Sequence, residues 1–407
     1  MSVGIEKLCL YPGRLFVDAI ELAEARGRDP RQAREQVMVR ERTVVPVFED
    51  AITLGVNAAR RLLTPEDRAQ IELLVVATES AVDFGKAMST WVHRHCELSP
   101  ACRTIEVKNA CYAGTGALKL AASWVAAAAR PGKKALVISA DFTRRATRDE
   151  YDFVGGGCAV AMLVSRSPRV LALELGKEGY FAGEIADAFR PTSRVETVDN
   201  EVSLFAYLDA LEGAYDHYQQ VAGAGHYDAD FKKHIYHAPF PGMTLQAHRT
   251  MLSRLGVTDK AAIRSSFERK VKDALHFGAR LGTAYGASTF ISLLGHLQVA
   301  EDLQEGDPIS FFAYGSGCQG EFYKGTLGPG ARDEARALEL EKAIEDRRRL
   351  SVEEYERIER VRDSFTDQPD YEVPRDTVPG VYEERYAGRG LLVLERVEGF
   401  RRSYGFS

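Results

Sequence analysis

Four short segments of this 407-residue chain carry side chains that could do covalent chemistry. In Asn109-Ala110-Cys111-Tyr112-Ala113-Gly114-Thr115-Gly116 a cysteine sits between an apolar alternating run and an Ala-rich stretch. A strand-to-helix turn there would put its sulfur at a helix N-terminus, where the dipole and free N–H groups favour a thiolate. The same N–H groups could hold an oxyanion. The competing reading is a small buried residue under a helix start. Glu79, in Ala77-Thr78-Glu79-Ser80, follows the apolar run Leu73 to Ala77. A carboxylate at a strand's C-terminal end points into the functional crevice of an α/β protein, and partial burial would raise its pKa and suit it to taking a proton from carbon. An ordinary loop glutamate fits the spacing too. His234-Ile235-Tyr236-His237-Ala238-Pro239-Phe240-Pro241 places two histidines beside two prolines, a rigid loop that could fix an imidazole as acid or base. Nothing local separates His237 from His234. Tyr314-Gly315-Ser316-Gly317-Cys318 follows another apolar run; it lacks the outer glycines of a nucleophile elbow, so it reads as a tight turn where backbone approaches a ligand.

The elements that must carry these groups follow from periodicity. Leu73 to Ala77 is apolar on both faces, as a central strand requires. Thr104 to Lys108, Ala135 to Ser139 and Ala159 to Ser165 are further strands. Ala113 to Arg130 is a helix closed by Pro131-Gly132. The order strand, helix, strand implies an α/β fold. Gly286 to Leu297 as helix and Ile309 to Tyr314 as strand repeat that grammar, so two similar halves would share a site at their junction. The expected division is 1–170, carrying Glu79 and Cys111, and 171–407, carrying His237 and the Gly-Ser-Gly turn. Within the latter, 331–388 reads as a charged surface segment: Glu334 to Asp363 as one or two solvated helices including Arg347-Arg348-Arg349, then a loop-like stretch to Gly390. Leu391 to Leu394 gives a last strand, and Ala25 to Arg42 reads as superficial.

Composition bounds the classes. Hydrophobic residues make up 45% and charged residues 28%, an ordinary soluble balance. A net charge of −6 argues against nucleic acid as partner. No run of about 18 apolar residues predicts a membrane span, and no basic-then-apolar leader is seen. Six scattered cysteines without a C-x-x-C pair suggest free thiols in a cytoplasmic chain and no structural metal site. Gly155-Gly156-Gly157 precedes a strand, so it is no dinucleotide fingerprint, and no phosphate loop occurs.

Taken together, the segments resemble the 3-hydroxy-3-methylglutaryl-CoA synthase family of the thiolase superfamily, from VGIEKLCLY at Val3 to GSGCQGEF ending at Phe322. VATESAVD resembles the family's general-base segment, NACYAGTGAL its nucleophile segment, YHAPFPGM its histidine segment and FAYGSGCQGEFY its late glycine loop; DAFRPT and LAEARGRDP also match. The resemblance implies a thiolase fold, five-layered αβαβα from two similar halves, and a homodimer. It implies that Cys111 becomes acetylated and that Glu79 takes a proton from the acetyl methyl. The resulting enolate adds to a β-ketone, which His237 hydrogen-bonds and then protonates. The backbone at Cys111 and Ser316 would hold the oxyanion, with Gly315, Tyr314 and Thr283 lining the substrate.

The chain also departs from the mevalonate-pathway enzymes. Arg145 stands where a tyrosine lies near the acetyl group, Thr283 replaces an asparagine beside the acceptor ketone, Gly242 replaces a lysine, and Phe153-Val154 replaces Pro-Thr. A kept trio with altered carrier contacts resembles the polyketide β-branching branch. There an acetyl-loaded donor acyl carrier protein meets a β-ketoacyl-loaded acceptor carrier protein. No cofactor is then implied, because phosphopantetheine arrives on the carriers or as coenzyme A. Carriers are acidic, so Arg144, Arg145 and Arg148, or Arg31, Arg34, Arg40 and Arg42, would serve docking; each cluster also fits a solvated face. The alternatives are the mevalonate enzyme using free coenzyme A thioesters and a silent thiolase-fold protein that only docks carriers.

Overall fold

The computed structural model describes residues 2–144, 149, 151–193 and 196–407. Its centre is one ten-stranded mixed sheet. In chain order the strands are β1 (Gly4–Tyr11), β2 (Ile71–Ala77), β3 (Arg103–Val107), β4 (Lys134–Phe142), β5 (Gly157–Ser165), β6 (Leu171–Leu173), β7 (Gly179–Ala182), β8 (Lys233–Tyr236), β9 (Pro308–Gly315) and β10 (Gln319–Leu327). The spatial order is β8-β9-β10-β6-β1-β5-β4-β2-β3, with β7 pairing β10. The short β6 bridges β1 and β10, so the strands of the two halves run on as one sheet.

The halves repeat a pattern. β2 lies parallel to β4, which turns back antiparallel into β5; β8 lies parallel to β9, which turns back antiparallel into β10. Helix α2 (Ala113–Ala127) leads into β4 and helix α4 (Ser288–Val299) leads towards β9. The strands are apolar on both faces because both faces are covered. Leu73, Val75, Val137, Val160 and Met162 point into a central core shared with α2 and α4, which also takes Ile235, Ile309 and Phe311. Leu74, Val76, Leu136 and Ile138 point outward onto α1 (Ala51–Leu62). In the second half Tyr236, Phe312 and Phe322 point outward onto α3 (Asn200–Ala222). The layers therefore run α1, sheet, α2 with α4, sheet, α3, as a thiolase fold requires.

Only small residues let two helices share the middle layer. A Cβ on Gly114 would stand 2.1 Å from the Gly286 carbonyl oxygen, so the beginnings of α2 and of the turn before α4 touch backbone to backbone. Helix α2 stops at Ala127 instead of running to Arg130. Arg166, just beyond β5, donates to the Val125 carbonyl of the last turn of α2 at 2.9 Å and to the Ala129 carbonyl past its end at 3.2 Å.

Several expected surface elements are interior. The segment 331–388 carries helices Ala331–Ala337, Leu340–Glu345, Val352–Phe365 and Val381–Arg385, and strand Arg348–Leu350 lies parallel to Leu15–Asp18. Leu350, Tyr355, Ile358, Val381 and Tyr386 build a separate core with Leu15, Val17 and Leu22, so this part is not a run of solvated helices. Arg347 is buried and donates to Glu41 and to the Thr43 hydroxyl. Arg42, expected on a surface cluster, is also buried; it donates to Asp152 O and Tyr355. Leu392–Glu398 is not the last strand, because Arg401–Phe406 pairs back onto it. No helix among the described residues is long and apolar enough to cross a membrane, and all six cysteines are free.

Candidate active site

Glu79 and His237 sit at equivalent places in the two halves. Glu79 follows β2 by two residues and His237 follows β8 directly. Cys111 stands just before α2, on a turn whose Ala110 takes a left-handed φ of 43°. That elbow turns the sulfur out of the sheet into a cavity of about 550 Å³ lined by Glu79, Cys111, His237, Thr283, Tyr314 and Ser316, among others. Cys111 Sγ lies 3.5 Å from Glu79 Oε1, to which the thiol donates. His234 is sealed away from this space. It stacks on Tyr227 with ring centroids 4.5 Å apart, and its Nδ1 meets the Ser310 hydroxyl at 2.7 Å. The ambiguity between the two histidines is resolved by which one reaches the cavity.

His237 is held at its backbone and at its ring. Its amide donates to Phe312 O at 2.7 Å, its carbonyl accepts from the Tyr207 hydroxyl at 2.7 Å, and its Nδ1 lies 2.6 Å from the Ser288 hydroxyl. Burial pushes the imidazole down to about 3, so the ring is neutral at physiological pH.

Burial raises the Glu79 carboxyl, and the negative Asp141 adds to the rise. Asp141, outside the four segments that the sequence marks, organises the stretch around Glu79. Its Oδ1 accepts from the Thr78 hydroxyl at 2.9 Å and from the amides of Glu79 at 2.8 Å and Ser80 at 3.0 Å. It stands near the end of β4, so the strand-end argument that picked out Glu79 would have found it. Arg190, within the DAFRPT stretch, donates to the Glu79 carbonyl at 3.0 Å and pairs with Glu196 at 2.7 Å.

The Cys111 thiol is pushed well above its ordinary value, by burial first and then by Glu79 and Asp141. The expected thiolate at rest is thus overturned. The α2 dipole is outweighed by burial and by the two carboxylates near the sulfur. The sulfur rests as a thiol whose proton already points at a base.

The late glycine turn closes over the cysteine elbow. A Cβ on Gly315 would stand 2.6 Å from Asn109 O and 2.7 Å from the Tyr112 amide. Asp187 ties this turn down, accepting from the Tyr314 hydroxyl at 2.8 Å and the Gly317 amide at 2.9 Å. Thr283 borders the cavity, but its hydroxyl is engaged by the Pro239 carbonyl at 2.6 Å and the Val154 carbonyl at 3.1 Å. Its single proton is spent on the backbone. Gly242 carries the 32–37 turn: its amide donates to Val37 O at 3.0 Å, and a Cβ there would stand 1.7 Å from Gln36 O. Gln32 and Gln36 of that turn line the cavity, and Arg31, Arg34 and Arg40 beside it are exposed. Arg144 is partly buried with its guanidinium 4.9 Å over the Phe142 ring. Arg145 and Arg148 lie outside the described residues.

Comparison with known proteins gives a consistent result. The family model for the N-terminal part of hydroxymethylglutaryl-coenzyme A synthase matches residues 1–168, and that for its C-terminal part matches 255–407. The chain is 33% identical, over 99% of both sequences, to the polyketide biosynthesis 3-hydroxy-3-methylglutaryl-ACP synthase PksG of Bacillus subtilis (strain 168). It is 31% identical to the hydroxymethylglutaryl-CoA synthase of Enterococcus faecalis, over 88% of this chain and 91% of that one. Among solved structures, the HMG synthase of the curacin biosynthetic pathway superposes with a TM-score of 0.95 at 35% identity, covering 100% of both chains. The same enzyme in complex with acetyl donor-ACP also gives a TM-score of 0.95, at 34% identity.

Proposed function

The chain belongs to the hydroxymethylglutaryl-coenzyme A synthase family, and from that premise we propose that it adds an acetyl-derived carbanion to a β-ketoacyl thioester carried on an acyl carrier protein. The observation that carries the reading is the Cys111 thiol at 3.5 Å from Glu79 in the cavity that His237 also lines.

Cys111 attacks the acetyl thioester while its proton passes to Glu79, and the departing carrier thiol receives that proton. Glu79, ionised again, takes a proton from the acetyl methyl. The enolate carbon bonds to the acceptor ketone carbon, and the His237 Nε2–H group hydrogen-bonds the oxygen as it becomes an alkoxide. A neutral imidazole is a good hydrogen-bond donor but a poor proton source, so the alkoxide takes its proton from the Glu79 carboxylic acid rather than from His237. Water then attacks the Cys111 thioester, giving a proton to Glu79, which passes it to the departing Cys111 sulfur and so restores the thiol. The amides of Cys111 and Ser316 serve as donors to the thioester oxyanion.

Both thioesters ride on phosphopantetheine arms, the donor on an acetyl-loaded carrier and the acceptor on a β-ketoacyl-loaded one. The relative crystallised with acetyl donor-ACP supports the donor part of this assignment. Acidic carriers dock where Arg31 and Arg34 flank the cavity-lining Gln32 and Gln36. The enzyme works as a cytoplasmic homodimer; β3, at the edge of the sheet with Ile105 exposed, and the fully exposed Phe84 offer a surface for the second copy.

The test is to incubate the protein with acetyl-carrier and acetoacetyl-carrier and follow both by intact-mass spectrometry. One acetyl group should appear on the enzyme, be absent from Cys111→Ala, and end as a 3-hydroxy-3-methylglutaryl carrier. Turnover of coenzyme A thioesters alone would assign the mevalonate-type activity. Absence of any acetyl adduct would leave a docking protein.

A further inference from the structure

We propose that Ser288 is a positioning residue that selects the tautomer of His237 in which Nε2 carries the proton. Ser288 Oγ lies 2.6 Å from His237 Nδ1 and 3.5 Å from the Ala238 amide. An amide can only donate, so it fills a lone pair on the serine oxygen. The oxygen keeps a second lone pair, but among the described residues Nδ1 is the one acceptor that the hydroxyl proton meets, so the arrangement that pairs this proton has the hydroxyl donating and Nδ1 accepting. In a neutral ring with Nδ1 accepting, the one proton sits on Nε2.

The backbone of His237 is fixed as well. Both backbone groups of His237 are occupied, by Phe312 O and by the Tyr207 hydroxyl. Ser288 is the first residue of the twelve-residue helix α4, and it is buried. The positive end of that helix lies beside the ring and disfavours the imidazolium, so the choice is between two neutral tautomers. The consequence is chemical. With Nε2–H facing the cavity, His237 donates to an oxygen that gains negative charge. With the proton on Nδ1, the same ring would present a lone pair and repel that oxygen. A serine that never touches substrate thus decides whether His237 works as a donor. The seam of the halves makes this possible, because His237 follows β8 while Ser288 begins the helix lying under it.

This inference rests on the proposed condensation, and the experiment separates the two. In protein labelled with ¹⁵N-histidine, the His237 spectrum should show a protonated Nε2 and a bare Nδ1, and Ser288→Ala should lose that preference. Ser288→Ala should lower the condensation rate constant by about 10- to 100-fold with the acceptor KM little changed, the usual cost of removing a partner that orients a histidine. Acetylation of Cys111 should continue close to the native rate, and Ser288→Thr should restore most of the lost condensation. A native spectrum with the proton on Nδ1 would overturn the proposal. So would Ser288→Ala condensing at the native rate, or losing acetylation and condensation in equal measure. If the native protein condenses no thioester pair, the functional reading fails, while the ring-nitrogen spectrum still decides the role of Ser288.

Discussion

Glu79 can take a proton from carbon only when it is ionised, and its surroundings make ionisation harder. Burial is the larger cause and the negative Asp141 the next. The base form is lost as pH falls through this raised value, so the acid limb of the condensation rate should lie at higher pH than for a solvent-exposed glutamate. Asp141→Asn removes the neighbouring charge and should move that limb to lower pH by about one unit, the scale of a close like-charge effect. A limb that stays in place would show that Asp141 acts only as a hydrogen-bond acceptor. A raised value also serves the second half of the reaction, since a carboxyl that holds its proton can return it to an alkoxide. The thiol obeys the same physics: burial and the nearby carboxylates raise it, so in the proposed mechanism it is activated by proton transfer during attack.

At the level of elements, the site depends on three turns fitting together: the cysteine elbow, the histidine loop and the glycine turn after β9. Gly315 is the contact between the first and the last. The atoms a Cβ would meet there are Asn109 O, Tyr112 Cβ and the Tyr112 amide, none of which can rotate away. Gly315→Ala should therefore cost about 1–3 kcal/mol, as overpacking does, and slow Cys111 acetylation by at least about tenfold, because small misplacements of a nucleophile are expensive. Urea unfolding and the rate of adduct formation measure the two effects. A variant as stable and as fast as the native protein would show that the turns do not need this contact.

For the molecule as a whole, the net charge of −6 works against an acidic partner unless basic residues are gathered where it lands. Arg31, Arg34 and Arg40 form such a group beside the cavity-lining turn. Arg34→Glu should weaken carrier binding several-fold, and raising ionic strength to about 0.15 M, where screening acts over about 8 Å, should weaken native binding. Calorimetry with the carrier alone measures both; affinity indifferent to charge and to salt would remove this face from the docking assignment.

The α/β alternation and the candidate residues Cys111, Glu79, His234 and His237 are legible in the sequence, because periodicity and strand-end position are written in neighbouring residues. Leu73 to Ala77 reads as a buried strand from five letters, and Glu79 follows from where that strand stops. Tertiary structure alone decided which histidine reaches the cavity, that Asp141 and Ser288 attend Glu79 and His237, and that Arg42 and Arg347 are interior. Those facts depend on partners tens to hundreds of positions away: Arg42 meets Tyr355, and His237 meets Ser288. Protonation states belong to the same class. A helix N-terminus can be read locally and argues for a thiolate, but the burial of the sulfur and the carboxylates near it exist only once β2 and β4 bring Glu79 and Asp141 to the cysteine elbow.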